Sequence, residues 1–219
     1  VDRGLPVLNQ HQVKATFYVS PAGMLERHEA WNQAVADGHE IGNHTLNHPC
    51  SGNFGFARSR PLEDYTLDAM ERELTGATEF IERELSVRPT TFAYPCGQTF
   101  VGRGDRVQSY VPLVARHFTM GRVYRSEAPF SPVHGDLAQA FGIHFDGTTI
   151  STARAWMERT ISEGGWLILA GHEVGAPGPM SVDSDTLRFV CEFASDPGNG
   201  LWIDTAADVA AYVGDQARA

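Results

Sequence analysis

Lysine is nearly missing from this chain: Lys14 is the only one in 219 residues. Seventeen basic residues stand against 27 acidic ones, a formal charge of −10. No stretch gathers the basic face that a nucleic-acid binder carries or that an anionic membrane surface attracts. A neutral or cationic substrate suits this balance better. Cysteine is scarce as well, with Cys50, Cys96 and Cys191 alone. Three is too few and too odd for a disulfide framework, and the absence of Cys-x-x-Cys excludes the usual zinc and thioredoxin-like motifs. One bridge is possible, and the count leaves the redox compartment open. Long apolar runs are absent too. The best, Trp166 to Ala170, falls far short of the ~18 residues of a spanning helix. The chain opens at Val1 with no signal peptide, and further residues are expected upstream.

What is present is ample core. Hydrophobic residues make up 42% of the sequence, which excludes disorder. With no repeat and no linker, residues 1–219 are one domain. Short β-type runs at Ala15–Val19, His39–Asn43, Thr90–Tyr94, Gly121–Tyr124, Phe141–Phe145, Trp166–Ala170 and Leu201–Ile203 alternate with helical stretches. The clearest helix has Pro61 in its first turn. It carries Leu67, Met70, Leu74, Ala77, Ile81 and Leu85 on one stripe. A later helix turns Trp156, Met157 and Ile161 inward, and Thr205-x-x-Asp208 caps the last one. Alternation of this kind predicts a parallel sheet with crossover helices. The first choice is a distorted (β/α) barrel of about seven parallel strands; a doubly wound open sheet is second. Either architecture puts a site at the C-terminal ends of strands.

Several candidates sit at those ends. His44-Thr-Leu-Asn-His48-Pro49 follows a strand, and i, i+4 histidines on a helical turn face one way. Neutral imidazoles suit zinc, cobalt or nickel; the plainer reading is a hydrogen-bonded structural pair. His172 ends an apolar strand through Gly171 and is either a site imidazole or a loop residue. Tyr94-Pro95-Cys96-Gly97 shapes a tight turn whose N–H groups suit an oxyanion, or it is only a turn. Cys96 lacks the adjacent base that a thiol nucleophile needs. Asp146 either orients a histidine or, the favoured reading, caps the next helix. His11, His28, His117 and His134 are expected on the surface, and Phe54 to Phe56 at the barrel mouth.

Together these stretches resemble the polysaccharide deacetylase family, carbohydrate esterase family 4, also called the NodB-homology domain. Gly38-His-Glu-Ile-Gly-Asn-His44-Thr-Leu-Asn-His48-Pro49 is similar to its His-Ser/Thr-x-x-His-Pro motif; Tyr94 to Gly97 and Leu167 to His172 resemble two later motifs. The resemblance implies a hydrolase that removes acetyl groups from an N-acetylated, less readily O-acetylated, polysaccharide or oligosaccharide. It implies a divalent metal cofactor, zinc first, with cobalt, nickel or manganese as alternatives. His44 and His48 become metal ligands and His172 the general acid. The Cys96 N–H becomes an oxyanion donor, with Tyr94 and Pro95 against the substrate. A secreted or periplasmic location is implied by that substrate class.

The departures are specific. The family's first motif, Thr-Phe-Asp-Asp-Gly, is absent from the chain. Its strand, its base and its aspartate ligand are expected before Val1. Ala93 stands where the third motif has an arginine, and Arg103 and Arg122 are candidates for that place. Cys96 replaces an aromatic, and Asp146-Gly147 is a faint version of the fourth motif. Cys50 and Cys96 are expected close together, because each follows a strand-end motif. Two other readings compete. One is an inactive carbohydrate-binding domain of the same fold. The other is a glycosidase barrel, for which no pair of strand-end carboxylates is evident.

Overall fold

The computed structural model describes residues 1–124 and 129–216. Its frame is a six-stranded, all-parallel sheet curled into a half-barrel. The strands are β1 (Thr16–Val19), β2 (Glu40–Asn43), β3 (Thr91–Ala93), β6 (Met120–Tyr124), β7 (Ala140–His144) and β8 (Ile168–Ala170), in that spatial order. Between β3 and β6 lies a small antiparallel hairpin, β4 (Phe100–Val101) with β5 (Gln108–Ser109). After β8 come β9 (Glu173–Val174) and β10 (Ser181–Val182), which pair with each other.

Helices α1 (Gly4–Gln10), α2 (Pro21–Leu25), α3 (His28–Ala36), α4 (Leu67–Leu85), α5 (Val111–His117), α6 (Ile150–Glu163), α7 (Ser184–Ser195) and α8 (Ala206–Gln216) cover the sheet. The α4 stripe is as the periodicity predicts: Met70, Leu74, Ala77, Ile81 and Leu85 are buried. Its start differs. Thr66 caps the helix by accepting from the Ala69 N–H, so Pro61 lies upstream. Pro61 leads instead into a short 3-10 turn whose Glu63 accepts from Ser51 and Gly52. In α6, Met157 is buried, but Ile161 is exposed. Thr205 and Asp208 form the predicted cap of α8. The Thr205 hydroxyl accepts from the Asp208 N–H and donates to its carboxylate.

The expected seventh strand does not form. Residues 201–203 are irregular, and Trp202 is 53% exposed with its indole N–H turned to Asp204. The start of α8 gives the reason. The Ala206 N–H donates to the Thr16 hydroxyl and the Ala207 N–H to the Glu40 carboxylate. The first residues of β1 and β2 thus hold the first turn of α8, and the segment before it serves as a lead-in. Leu201 and Ile203 contribute side chains to the core without pairing backbone.

Candidate active site

The histidine loop leaves the end of β2, but it is no helical turn. Thr45 and His48 both have positive φ, 66° and 51°, a conformation that non-glycine residues hold only when their surroundings compel it. Those surroundings come largely from α4. The Asn43 amide donates to the Leu74 carbonyl and the Thr78 hydroxyl while accepting from the Thr45 N–H. Buried Glu73 accepts from the Asn47 N–H and side-chain amide, and from the Tyr65 hydroxyl. Between these anchors His44 and His48 bring their rings to a 4.8 Å centroid distance, edge to face. The i, i+4 spacing therefore gathers two imidazoles by a strained loop rather than by helix geometry.

His44 has Nδ1 2.8 Å from the Ala93 carbonyl, which leaves Nε2 as its outward donor atom. Burial, with smaller contributions from His48 and Arg122, lowers its pKa to about 3. Burial lowers that of His48 as well, and His172 depresses both. The pair is thus held neutral, the form in which imidazole donates to a metal. A backbone acceptor behind the ring is the usual support of a ligating histidine. In these respects the two residues fit a divalent ion. Among the described residues, the one cluster of three potential ligands is His48, Cys50 and Cys96, and its two sulfurs are bonded to each other.

Cys50 and Cys96 form a disulfide, with Cα atoms 6.0 Å apart. Their predicted proximity is found, and the bond removes Cys96 as a thiol. It ties the histidine loop to the turn after β3, where Cys96 has φ 53°. Gly97 follows at φ 65°, and a Cβ there would stand 2.9 Å from the Tyr124 backbone oxygen. Only glycine fits both constraints. The Cys96 N–H takes part in none of the hydrogen bonds of this turn, which run from Gly97 and Gln98 to Tyr94 and Pro95. Tyr94 and Pro95 correct their expected substrate contact. Both are buried, and the Tyr94 hydroxyl donates to the Ala138 carbonyl inside the aromatic core of Phe92 and Tyr110.

His172 lies just past β8, and Asp146 just past β7. The fully buried Asp146 carboxylate accepts from the His172 N–H at 2.9 Å and contacts its Nδ1 at 2.5 Å. The favoured reading of Asp146 as a helix cap is corrected: Thr149 caps α6. Gly171 makes the contact possible, since a Cβ there would meet Val182 Cγ2 at 2.6 Å and Asp146 Oδ1 at 3.2 Å. The second imidazole beside Asp146 has no counterpart in the sequence reading: His144 Nδ1 is 4.0 Å from the carboxylate, and its ring stands edge-on to Tyr124. Of the two candidate arginines, Arg122 is the one near the histidines. Its guanidinium stacks over Tyr18 and acts on His44, whereas Arg103 pairs with exposed Asp64. His28 and His117 bind Glu84 and Glu71 on outer helices. Phe54 and exposed Phe56 pack together, with Phe56 6.3 Å from His48.

Comparison with known proteins identifies the family and the fold. Residues 1–110, half of the chain, match the family model for polysaccharide deacetylase. The chain is 33% identical over 97 residues to the uncharacterized protein YlxY of Bacillus subtilis, covering 44% of this chain and 27% of that protein. It is 47% identical over 45 residues to a chitooligosaccharide deacetylase of Bradyrhizobium, covering 20% of each. The chain thus spans well under half the length of these curated relatives. A candidate polysaccharide deacetylase from Mycobacterium smegmatis shares the fold at TM-score 0.70 and 21% identity, over 98% of this chain and 77% of that one. BA3943 of Bacillus anthracis, a pseudoenzyme of carbohydrate esterase family 4, does so at TM-score 0.53 and 18% identity, over 95% and 59%. On the strength of the family match and the strand-end histidines that carry its motif, this chain belongs to the polysaccharide deacetylase family.

Proposed function

We propose that the chain works as a metal-dependent deacetylase of an N-acetylated saccharide, with the Asp146–His172 pair as its acid and His44 and His48 as its metal ligands. The observation that carries this reading is the Asp146–His172 contact beside two neutral imidazoles. A histidine whose Nδ1 is held by a buried carboxylate is fixed in orientation and presents Nε2 outward. That is what protonation of a leaving amine requires. A bound divalent ion would polarise the acyl carbonyl and lower the pKa of water. Two further parts come from the chain's own residues: the Cys96 N–H offers a donor to the carbonyl oxygen, and Arg122 adds positive charge beside His44. A cleft of about 650 Å³ lies between the loop after Asp146 and the β9–β10 segment, lined partly by Gly147, Thr148, Thr149, Ser151 and Ser181 but by neither Asp146 nor His172. Hydroxyl groups of this kind suit a polyol. The Cys50–Cys96 disulfide favours an oxidising compartment, secreted or periplasmic.

The test is acetate release from chitin oligomers, peptidoglycan and acetylxylan, with zinc, cobalt, nickel or manganese supplied. Release from the first two, lost in His172→Ala, supports the reading. Release from acetylxylan alone would move it to an ester. No release from any, with saccharide binding retained, would favour the inactive carbohydrate-binding reading, for which the fold neighbour BA3943 is a precedent.

A further inference from the structure

We propose that reduction of the Cys50–Cys96 bond creates a second cation site, built from His48 and the two cysteines and selective for thiophilic divalent ions. The ligand atoms of His48, Cys50 and Cys96 all lie within 4.8 Å of one another. His48 Nδ1 faces the Cys50 sulfur at 3.7 Å, and its ring centroid lies 4.8 Å from that of His44. The backbone needs little rearrangement to hold the three groups together. His48 is fixed by Thr45, whose hydroxyl accepts from the His48 N–H. Cys50 is tied through its carbonyl to Leu62. Cys96 is held by the turn hydrogen bonds on either side of it. Cys50 is fully buried, while Cys96 is partly exposed, and this gives a reductant one sulfur to attack.

The chemistry balances with a dithiol as reductant. Its two thiols become one disulfide, the Cys50–Cys96 bond breaks, and the two electrons and two protons it gives up leave both cysteines as thiols. Coordination then releases those two protons to solvent as the sulfurs become thiolates. One imidazole and two thiolates are a soft donor set, which prefers zinc, cadmium or cobalt to magnesium or calcium. The fourth position stays open, as on catalytic rather than structural zinc. Because His48 belongs to both arrangements, an ion drawn to the sulfurs competes with one held by His44 and His48. Binding alone is at stake, so this site stands independently of the deacetylase reading.

The experiment uses the whole chain and cobalt(II) as probe. The protein is reduced with a phosphine, which takes oxygen from water to become its oxide, leaves both cysteines as thiols and adds no competing thiol; thiols are counted before metal is added. Reduction is expected to bring a near-ultraviolet thiolate-to-cobalt absorption at one equivalent, absent from the oxidised protein. Cadmium should displace the cobalt and magnesium should not. His48→Ala should weaken cobalt binding by about tenfold or more, the scale on which even outer partners of a metal site act. His44→Ala should leave the absorption in place, which separates this site from the two-histidine one. Circular dichroism of the reduced chain guards the reading. Loss of the fold on reduction, a disulfide that resists the phosphine, or free thiols without the absorption would each overturn it.

Discussion

Asp146 grips His172 at two points, the backbone N–H through one carboxylate oxygen and the ring Nδ1 through the other. The chain direction after β8 and the ring orientation are therefore set by one side chain. Asp146→Asn keeps the shape but loses the charge and the acceptor at Nδ1. Acetate release should fall by about 10²–10⁴-fold, the usual share of a positioned acid–base group. His172→Ala should fall comparably, and the double variant hardly further, because the two act as a unit. Metal content should be unchanged in all three; equal loss of metal would make His172 a ligand.

Gly171→Ala tests the same pair through the backbone. The added methyl would press on Val182 and the Asp146 carboxylate. A loss of about 1–3 kcal/mol in denaturant stability is expected for overpacking of this kind, together with reduced turnover. Unchanged stability and turnover would mean that the loop after β8 yields freely.

His39 supplies a pH dependence away from the site. Its Nδ1 accepts from the Ala15 N–H, and its Nε2 meets the Asn9 amide oxygen. Burial first, and the Lys14 ammonium second, hold its pKa below the ordinary imidazole range. The unfolded chain takes up a proton near pH 6.5 while the folded chain does not. This contribution to stability is therefore present above that pH and is lost as pH falls below it. Melting temperatures between pH 7.5 and pH 5 should decline, and His39→Gln should flatten that slope. An identical slope in the variant would assign the decline to other groups.

Zinc binding by this 219-residue chain in its oxidised form should be weak compared with a full four-ligand site, because the described residues bring two imidazoles to one place. His44→Ala should abolish what binding there is, as read by competition with a chromophoric chelator. Tight one-to-one binding that survives His44→Ala would show that other groups hold the ion.

Much of this was readable from order and spacing. The α4 stripe, the strand ends bearing His44, His48 and His172, and the Cys50–Cys96 proximity all come from patterns that the chain states locally. What was not readable depends on partners distant in sequence. Nothing near Asp146 says that His172, 26 residues on, will claim its carboxylate in place of α6. Glu73 could have been noticed, since a carboxylate on the buried face of an amphipathic helix needs donors, and Asn47 and Tyr65 provide them. Tyr94 misled because a residue within a strand-end motif can still turn its side chain into the core. Leu201–Ile203 misled because apolar alternation serves packing as well as pairing.

The Glu40 carboxylate touches more of the chain than its place at the foot of β2 suggests. It accepts from the Thr16 and Thr91 hydroxyls and from the Ala207 N–H, 167 residues away. On the ribosome this carboxylate emerges 167 residues before its last donor. A nascent chain stopped before Thr205 carries that acid with its set of donors incomplete, at the end of the sheet that α8 would cover. Such a chain is expected to be cleaved rapidly by protease where the whole chain resists, and Glu40→Gln should narrow the difference between them. The foot of β2 thus joins an early strand to a helix formed far later in the sequence.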